Sequence, residues 1–180
     1  MAYGMINLNA VQAMNVDSLN RSAVCADIVE NGNLVILASM SATVGESEVW
    51  TATKPATATL SGGWVVADPE VVVTYSGSSA YKGLDPDIRN FRIPAAQIFR
   101  AIKLSIGDIV ELSADALGTG AGAESAWAVA TDATYELTWA SAAVSGVSLK
   151  YLKTTYVSLA TGAIGETQRV AMYKFQVTAV

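Results

Sequence analysis

The side chains with chemical potential here are carboxylates, a single thiol and five arginines, because the 180-residue chain contains no histidine. Without imidazole, the Ser–His and Cys–His nucleophile pairs, the usual general base and the commonest transition-metal ligand are all missing. Carboxylate-only chemistry of the glycosidase kind survives, in which two carboxyl groups flank a bond at a set separation. Asp68 with Glu70, and Asp108 with Glu111, are the pairs to weigh, but nothing in the sequence fixes that separation. Together with Asp85 and Asp87 they also offer oxygen ligands for Ca²⁺. They match neither the EF-hand nor the RTX spacing, and isolated acidic residues in loops are ordinary turn formers. We therefore expect no catalytic residues, no cofactor and no metal. Cys25 lies in VCADIVE, an apolar/polar alternation that reads as a buried structural thiol, and one cysteine cannot form an internal disulfide.

Two glycine clusters fail as ligand loops. GTGAG at 118–122 lacks the dinucleotide and P-loop spacings and has no helix after it. SGGW at 61–64 is not a nucleophile elbow, which needs Gly-x-Ser-x-Gly and a later histidine.

The formal charge of −5 leaves no basic stripe to displace counterions from phosphates, so no nucleic-acid partner is expected. No apolar run approaches the roughly 18 residues of a membrane span. The opening MAYGMINLNAVQAMN lacks the basic and apolar regions of a secretory signal. Synthesis in the cytoplasm, with no membrane partner, is the expectation.

Short strands at sandwich or barrel spacing must position whatever site exists. VCADIVE, an Asn31-Gly32-Asn33 turn and LVILASM read as a hairpin, with Leu34–Leu37 apolar enough to be buried on both faces. EVWTAT, WVVA and VVVTY follow. Asp85-Pro86 and Pro94 predict an irregular excursion over 84–94. Pro94 could open a short helix, but Ile98, Arg100, Ile102 and Leu104 fit a strand better. IVELSADAL alternates with period two after the Gly107-Asp108 turn. AWAVAT and TYELTWA read as a hairpin turning at Asp132-Ala133, 147–159 as a long strand or broken pair, and RVAMYKFQVTAV as a closing strand. The fold class expected is mainly β: a single antiparallel β-barrel or β-sandwich domain over 23–180, with an extended N-terminal arm over 1–22. Two readings of that arm are open, a frayed terminus or a segment that orders on a neighbouring subunit through Met5, Ile6, Leu8 and Met14.

The densest cluster of interface-type residues is LDPDIRNFRIP and its continuation. Arg89, Phe91, Arg92, Phe99 and Arg100 bring together three of the five arginines and two of the three phenylalanines. Arginine and aromatic side chains are enriched at protein–protein interfaces. The alternative is that they lie along the domain's own edge.

Over residues 24–117 the order of motifs resembles the head decoration, or cement, proteins of tailed bacteriophages. NGNLVILASMS and EVWTATKPATATLSGGWVVADPE are followed by Tyr81-x-Gly-Leu84, the Arg/Pro-rich crossing and IGDIVELSADAL. The resemblance covers about half of the chain, and residues 118–180 lack a recognisable short-form ending. It implies a β-rich virion protein on the capsid exterior that bridges capsomers, with the major capsid protein as partner and a dimer or trimer as its own state. Alternatives are another virion subunit, such as a tail tube or head fibre, or a carbohydrate-binding β-sandwich. The last would stack sugars on Trp50, Trp64, Trp127 or Trp139.

Overall fold

A computed structural model describes residues 2–13, 20–42, 48–59, 61–76, 79–82, 85, 87–119, 126–160 and 167–180. The chain is mainly β, as its β-branched and aromatic runs require. In chain order the strands are β1 (Asn20–Cys25), β2 (Leu34–Met40), β3 (Val49–Thr53), β4 (Trp64–Val66), β5 (Val73–Ser76), β6 (Ser79–Lys82) and β7 (Ile98–Lys103). Then come β8 (Ile109–Ser113), β9 (Leu117–Gly118), β10 (Trp127–Val129), β11 (Leu137–Ala140), β12 (Ser148–Ala160) and β13 (Thr167–Ala179).

Five strands close into a barrel in the order β1-β3-β2-β4-β7. So few strands leave a narrow lumen, and small side chains fill much of it. Ala23, Cys25, Ala52 and Ala101 are buried there beside Val35, Val66 and Phe99. A second sheet runs β8-β13-β12-β10-β11-β9 and packs on the barrel wall. Alternate residues of shared strands divide between the two cores: Val35, Val66, Phe99 and Ala101 face the lumen, while Leu34, Val65, Ile102 and Leu104 meet Leu112, Leu137, Leu149 and Phe175. Leu34 and Val35 are thus buried on opposite faces, as the apolar run predicts, whereas Ile36 and Leu37 are only half-buried.

The strand reading of 98–104 holds, as do the β10–β11 pair around Asp132-Ala133 and the long β12–β13 pair. Ala133 adopts a positive φ of 55° at that turn. The first hairpin is a correction. Asn31-Gly32 does turn, closed by Asn33 N–H to the Glu30 carbonyl at 3.2 Å, but the segments it joins do not pair. β1 lies antiparallel to β7 and parallel to β3, while β2 pairs with β3 and β4. Of the two central residues only Gly32 has positive φ, at 89°. A type I′ hairpin turn needs both and a type II′ turn the first; positive φ at the second alone is the type II arrangement, which splays the strands it joins.

The N-terminal reading also changes. Residues 5–12 lie along the outer edge of β8, with antiparallel bridges Ile6–Leu112 and Gln12–Ile109. Asn7 N–H donates to the Glu111 carbonyl at 2.9 Å, and Ser113 N–H to the Met5 carbonyl at 3.0 Å. Met5 and Ile6 are each 2% exposed. The segment is therefore neither frayed nor reaching for a neighbour. It covers a sheet edge that would otherwise be open, and it buries the face of β8 that carries Glu111 and Ser113.

Candidate docking face

The excursion before β7 is built by local hydrogen bonds. Asp87 caps a 3-10 turn at Ile88–Asn90, its Oδ1 accepting Arg89 N–H at 3.0 Å, and Asn90 Nδ2 donates to Asp85 Oδ2 at 2.7 Å. The Arg89 guanidinium folds back on the same carboxylate, Nε to Oδ1 at 2.9 Å and Nη2 to Oδ2 at 2.7 Å, and Nη1 reaches Gln168 Oε1 at 2.5 Å. Paired this way, Arg89 holds the Asp87 carboxyl below its ordinary range, and Asp87 raises the guanidinium.

The sequence-predicted anchors therefore separate. Arg89 is engaged within the chain, and Arg100 Nε donates to the Ala67 carbonyl at 2.7 Å. Phe91 and Phe99, 6% and 2% exposed, belong to the core that fills the barrel. Ile6 is buried in the core between barrel and second sheet, Met5 in a small separate core with Leu159 and Met172, and Leu8 packs against the larger one. A ring or aliphatic chain enclosed by its own domain cannot anchor a partner. Met14 lies outside the described residues. Arg92 alone stays exposed, its guanidinium 5.5 Å from the Tyr3 ring centre. Beside it an open groove of about 380 Å³ is lined by Ile28, Val71, Val73, Phe91, Arg92 and Pro94 among others. Ile28 and Val71 are 48% and 46% exposed. Sequence reasoning missed both: each lies outside the barrel strands beside a buried valine, Val29 or Val72, and residue type does not say which of two adjacent aliphatic side chains is enclosed.

The carboxylates are structural. Asp68 Oδ1 accepts Arg100 N–H at 3.1 Å, Asp108 Oδ2 accepts Ser105 N–H at 2.8 Å, and Glu111 pairs with Lys174 at 2.8 Å while accepting Asn7 Nδ2 at 2.8 Å. Asn31 ties the Asp68 loop to Glu70 by donating to the Asp68 carbonyl at 2.9 Å and to Glu70 Oε1 at 3.2 Å. Glu30 Oε2 accepts Gly4 N–H at 2.6 Å, so carboxylates clasp the N-terminal segment at several points. No group of three or more His, Cys, Asp or Glu side chains is placed to hold a metal ion among the described residues. A polar relay that the sequence did not reveal joins residues about 110 apart. The buried Cys25 Sγ lies 2.9 Å from Tyr135 Oη, which donates to Asp27 Oδ2 at 3.0 Å, and Lys54 bridges to Asp27 at 3.2 Å. Burial, with the neighbouring thiol and carboxylate, pushes the Tyr135 phenol far up, so it stays a proton donor. Trp139 is buried, and Trp50, Trp64 and Trp127 are half-buried.

Burial raises the Glu30 and Glu70 carboxyls above their ordinary 4.5. A carboxyl raised in the fold binds its proton more tightly there than in the unfolded chain. Its penalty is present above the raised value and is relieved as pH falls toward 4.5. The opposite group is Asp27, lowered first by Tyr135 and then by Lys54, and Asp87; their contribution is lost only as pH falls past the ordinary 3.8. Thermal unfolding is thus expected to be later at pH 5 than at pH 7. In Glu70→Gln that difference should shrink; a variant with the parent's full pH dependence would count against Glu70.

Comparisons with protein-family models, with curated proteins and with solved structures find no match to this chain.

Proposed function

We propose that this chain is a structural virion protein that decorates the outside of a tailed-phage head and stabilises contacts between capsomers, with the major capsid protein as its partner. Two things support the reading: the ordered motifs of residues 24–117, and an exposed groove lined by residues within 28–97 of the same stretch. The groove is the observation that carries it. Arg92, Ile28 and Val71 present one cation and two aliphatic side chains at the rim of an open recess, the residue types that form interface hot spots and their surrounds. The carboxylates, engaged as hydrogen-bond acceptors and ion pairs, favour a binding role over a hydrolytic one. Binding to the assembled lattice, and not to free subunits, stabilises the lattice by mass action.

Co-sedimentation with expanded capsids tests this. Val71→Asp with Arg92→Ala is expected to weaken capsid binding about tenfold or more. Both side chains are exposed, so the melting temperature should hold. A parent protein that stays in the supernatant would overturn the reading; undiminished binding by the variant would move the docking face elsewhere.

A further inference from the structure

We propose that Asn7, Glu111 and Lys174 form a self-modification site, at which the Lys174 amine displaces ammonia from the Asn7 side-chain amide and leaves an isopeptide bond between the N-terminal segment and β13. The inference stands on the geometry of these three side chains and is independent of the capsid reading.

Strand register brings the three residues into line from distant parts of the chain. Lys174 on β13 directly opposes Glu111 on β8. Along the other side of β8, the Ile6–Leu112 bridge and the bond from Asn7 N–H to the Glu111 carbonyl place Asn7 beside the same residue. Directly opposed residues share a face of a sheet, so one carboxyl lies between an amine and an amide. It binds both. Lys174 Nζ is 2.8 Å from Glu111 Oε1, and Asn7 Nδ2 donates to Glu111 Oε2 at 2.8 Å. The Asn7 amide is also oriented from its other end. Asn7 caps the 3-10 turn Leu8–Ala10, its Oδ1 accepting Asn9 N–H at 3.3 Å.

An ion pair kept only for surface charge needs neither burial nor a third residue. Here the Glu111 side chain is 5% exposed and that of Lys174 20%. Met5 and Met172, two places along from Asn7 and Lys174 on the same face, join Leu159 in a small apolar core. Shielding from water disfavours separated charges, and so lowers the cost of passing a proton from the ammonium to the carboxylate. The amine so freed is the nucleophile.

Each atom needed for amide exchange has a place. Glu111 takes the Lys174 proton through Oε1. The flexible lysine stem carries Nζ over the carboxyl toward Asn7 Cγ, to the about 3–3.5 Å at which such bonds form. As the Nζ–Cγ bond forms, negative charge gathers on Oδ1, where Asn9 N–H donates. Glu111 then gives its proton to Nδ2 through Oε2 and takes the second proton from Nζ, acting as acid and base in turn. The Cγ–Nδ2 bond breaks and ammonia leaves. The ammonia carries off the remaining proton as ammonium, so Glu111 ends as the carboxylate it began as, and no oxidant or cofactor is consumed. The product ties the segment covering β8 to the strand on the other side of β8. It closes a loop over nearly the whole chain, restricting the unfolded ensemble as a disulfide does in chains with more than one cysteine.

Mass spectrometry of the purified full chain tests this. The intact mass should fall short of the sequence mass by about 17 Da, one ammonia, a covalent change of the kind that alters the physical argument for the whole chain. Trypsin should leave Lys174 uncut and yield residues 170–180 joined to residues 1–21. Lys174→Arg keeps the charge pair with Glu111 but has no amine to react, and should show the full mass and two separate peptides. Glu111→Gln should slow the appearance of the joined peptide after synthesis at least about a hundredfold. A parent protein with its full mass and separate peptides overturns the proposal. So does an ammonia loss that persists in Lys174→Arg, which marks cyclisation of an asparagine on its own backbone, or a Glu111→Gln variant that links as fast as the parent.

Discussion

Removing residues 1–13 is expected to destabilise the domain by about 4 kcal/mol or more, because truncating a single buried aliphatic side chain costs about 2–5 kcal/mol and the segment supplies two. Met5 and Ile6 are each 2% exposed, and Met5 lies between Leu159 and Met172 in a small core of its own. The loss is compounded by polar groups. Met5 N–H donates to Ser113 Oγ at 3.0 Å, and Asn7 Nδ2 to Glu111 Oε2 at 2.8 Å. Glu111 and Lys174 would face solvent along an uncovered β8. Since domains of this kind hold only about 5–15 kcal/mol in total, the truncated chain should be largely unfolded near body temperature. Urea denaturation followed by circular dichroism measures this. A truncated protein with the parent's midpoint would show that the segment is a dispensable arm after all. The result also decides how a capsid-binding experiment with such a truncation is read, because lost binding would then report lost folding.

Phe175→Ala should be the most damaging single truncation, at about 3–5 kcal/mol. Phe175 is fully buried at the centre of the second sheet, and its ring lies 5.3 Å from Trp139 and 6.0 Å from Tyr151. Trp139 also meets Tyr173 edge-on at 5.2 Å. Offset and edge-to-face contacts of this kind add about 0.5–1.5 kcal/mol each beyond simple burial. The same strand carries Met172 on its other face, against Met5, so a cavity at Phe175 loosens the element on which the N-terminal segment also rests. Phe175→Leu keeps most of the volume and should recover more than half of the loss. The near-ultraviolet signal of Trp139 should weaken in the alanine variant. If Phe175→Ala unfolds no earlier than Phe175→Leu, the aromatic cluster is not the keystone of that sheet.

Much of this architecture is legible in residue patterns. Period-two alternation placed β13 and the first five residues of IVELSADAL as β8, although Ala114–Ala116, expected to continue that strand, wind into a 3-10 turn; the Asp132-Ala133 step placed the β10–β11 turn, and Leu34-Val35 announced a strand buried on both faces. Turn chemistry at Asn31-Gly32 was legible too, but not the pairing it leads to. A turn constrains four residues, whereas the neighbours of β1 are chosen by which faces the closed barrel can bury. The interface residues fared differently. Arginine and phenylalanine between prolines marked the excursion before β7, but residue type did not say which of those side chains the chain itself engages. Residue type sets what a side chain can bind, and only the fold decides whether a nearer partner already holds it: Asp87 takes Arg89, Ala67 takes Arg100, and the barrel takes Phe91 and Phe99.

By itself, then, the sequence determined the mainly-β class, the strand spacing and the lack of imidazole chemistry, since composition and periodicity act locally along the chain. Tertiary structure alone decided that residues 5–12 cover β8 and that Ile28 and Val71 face outward beside Arg92. Each of these depends on which distant segments meet, and contacts between residues about a hundred positions apart leave no period in the sequence to read.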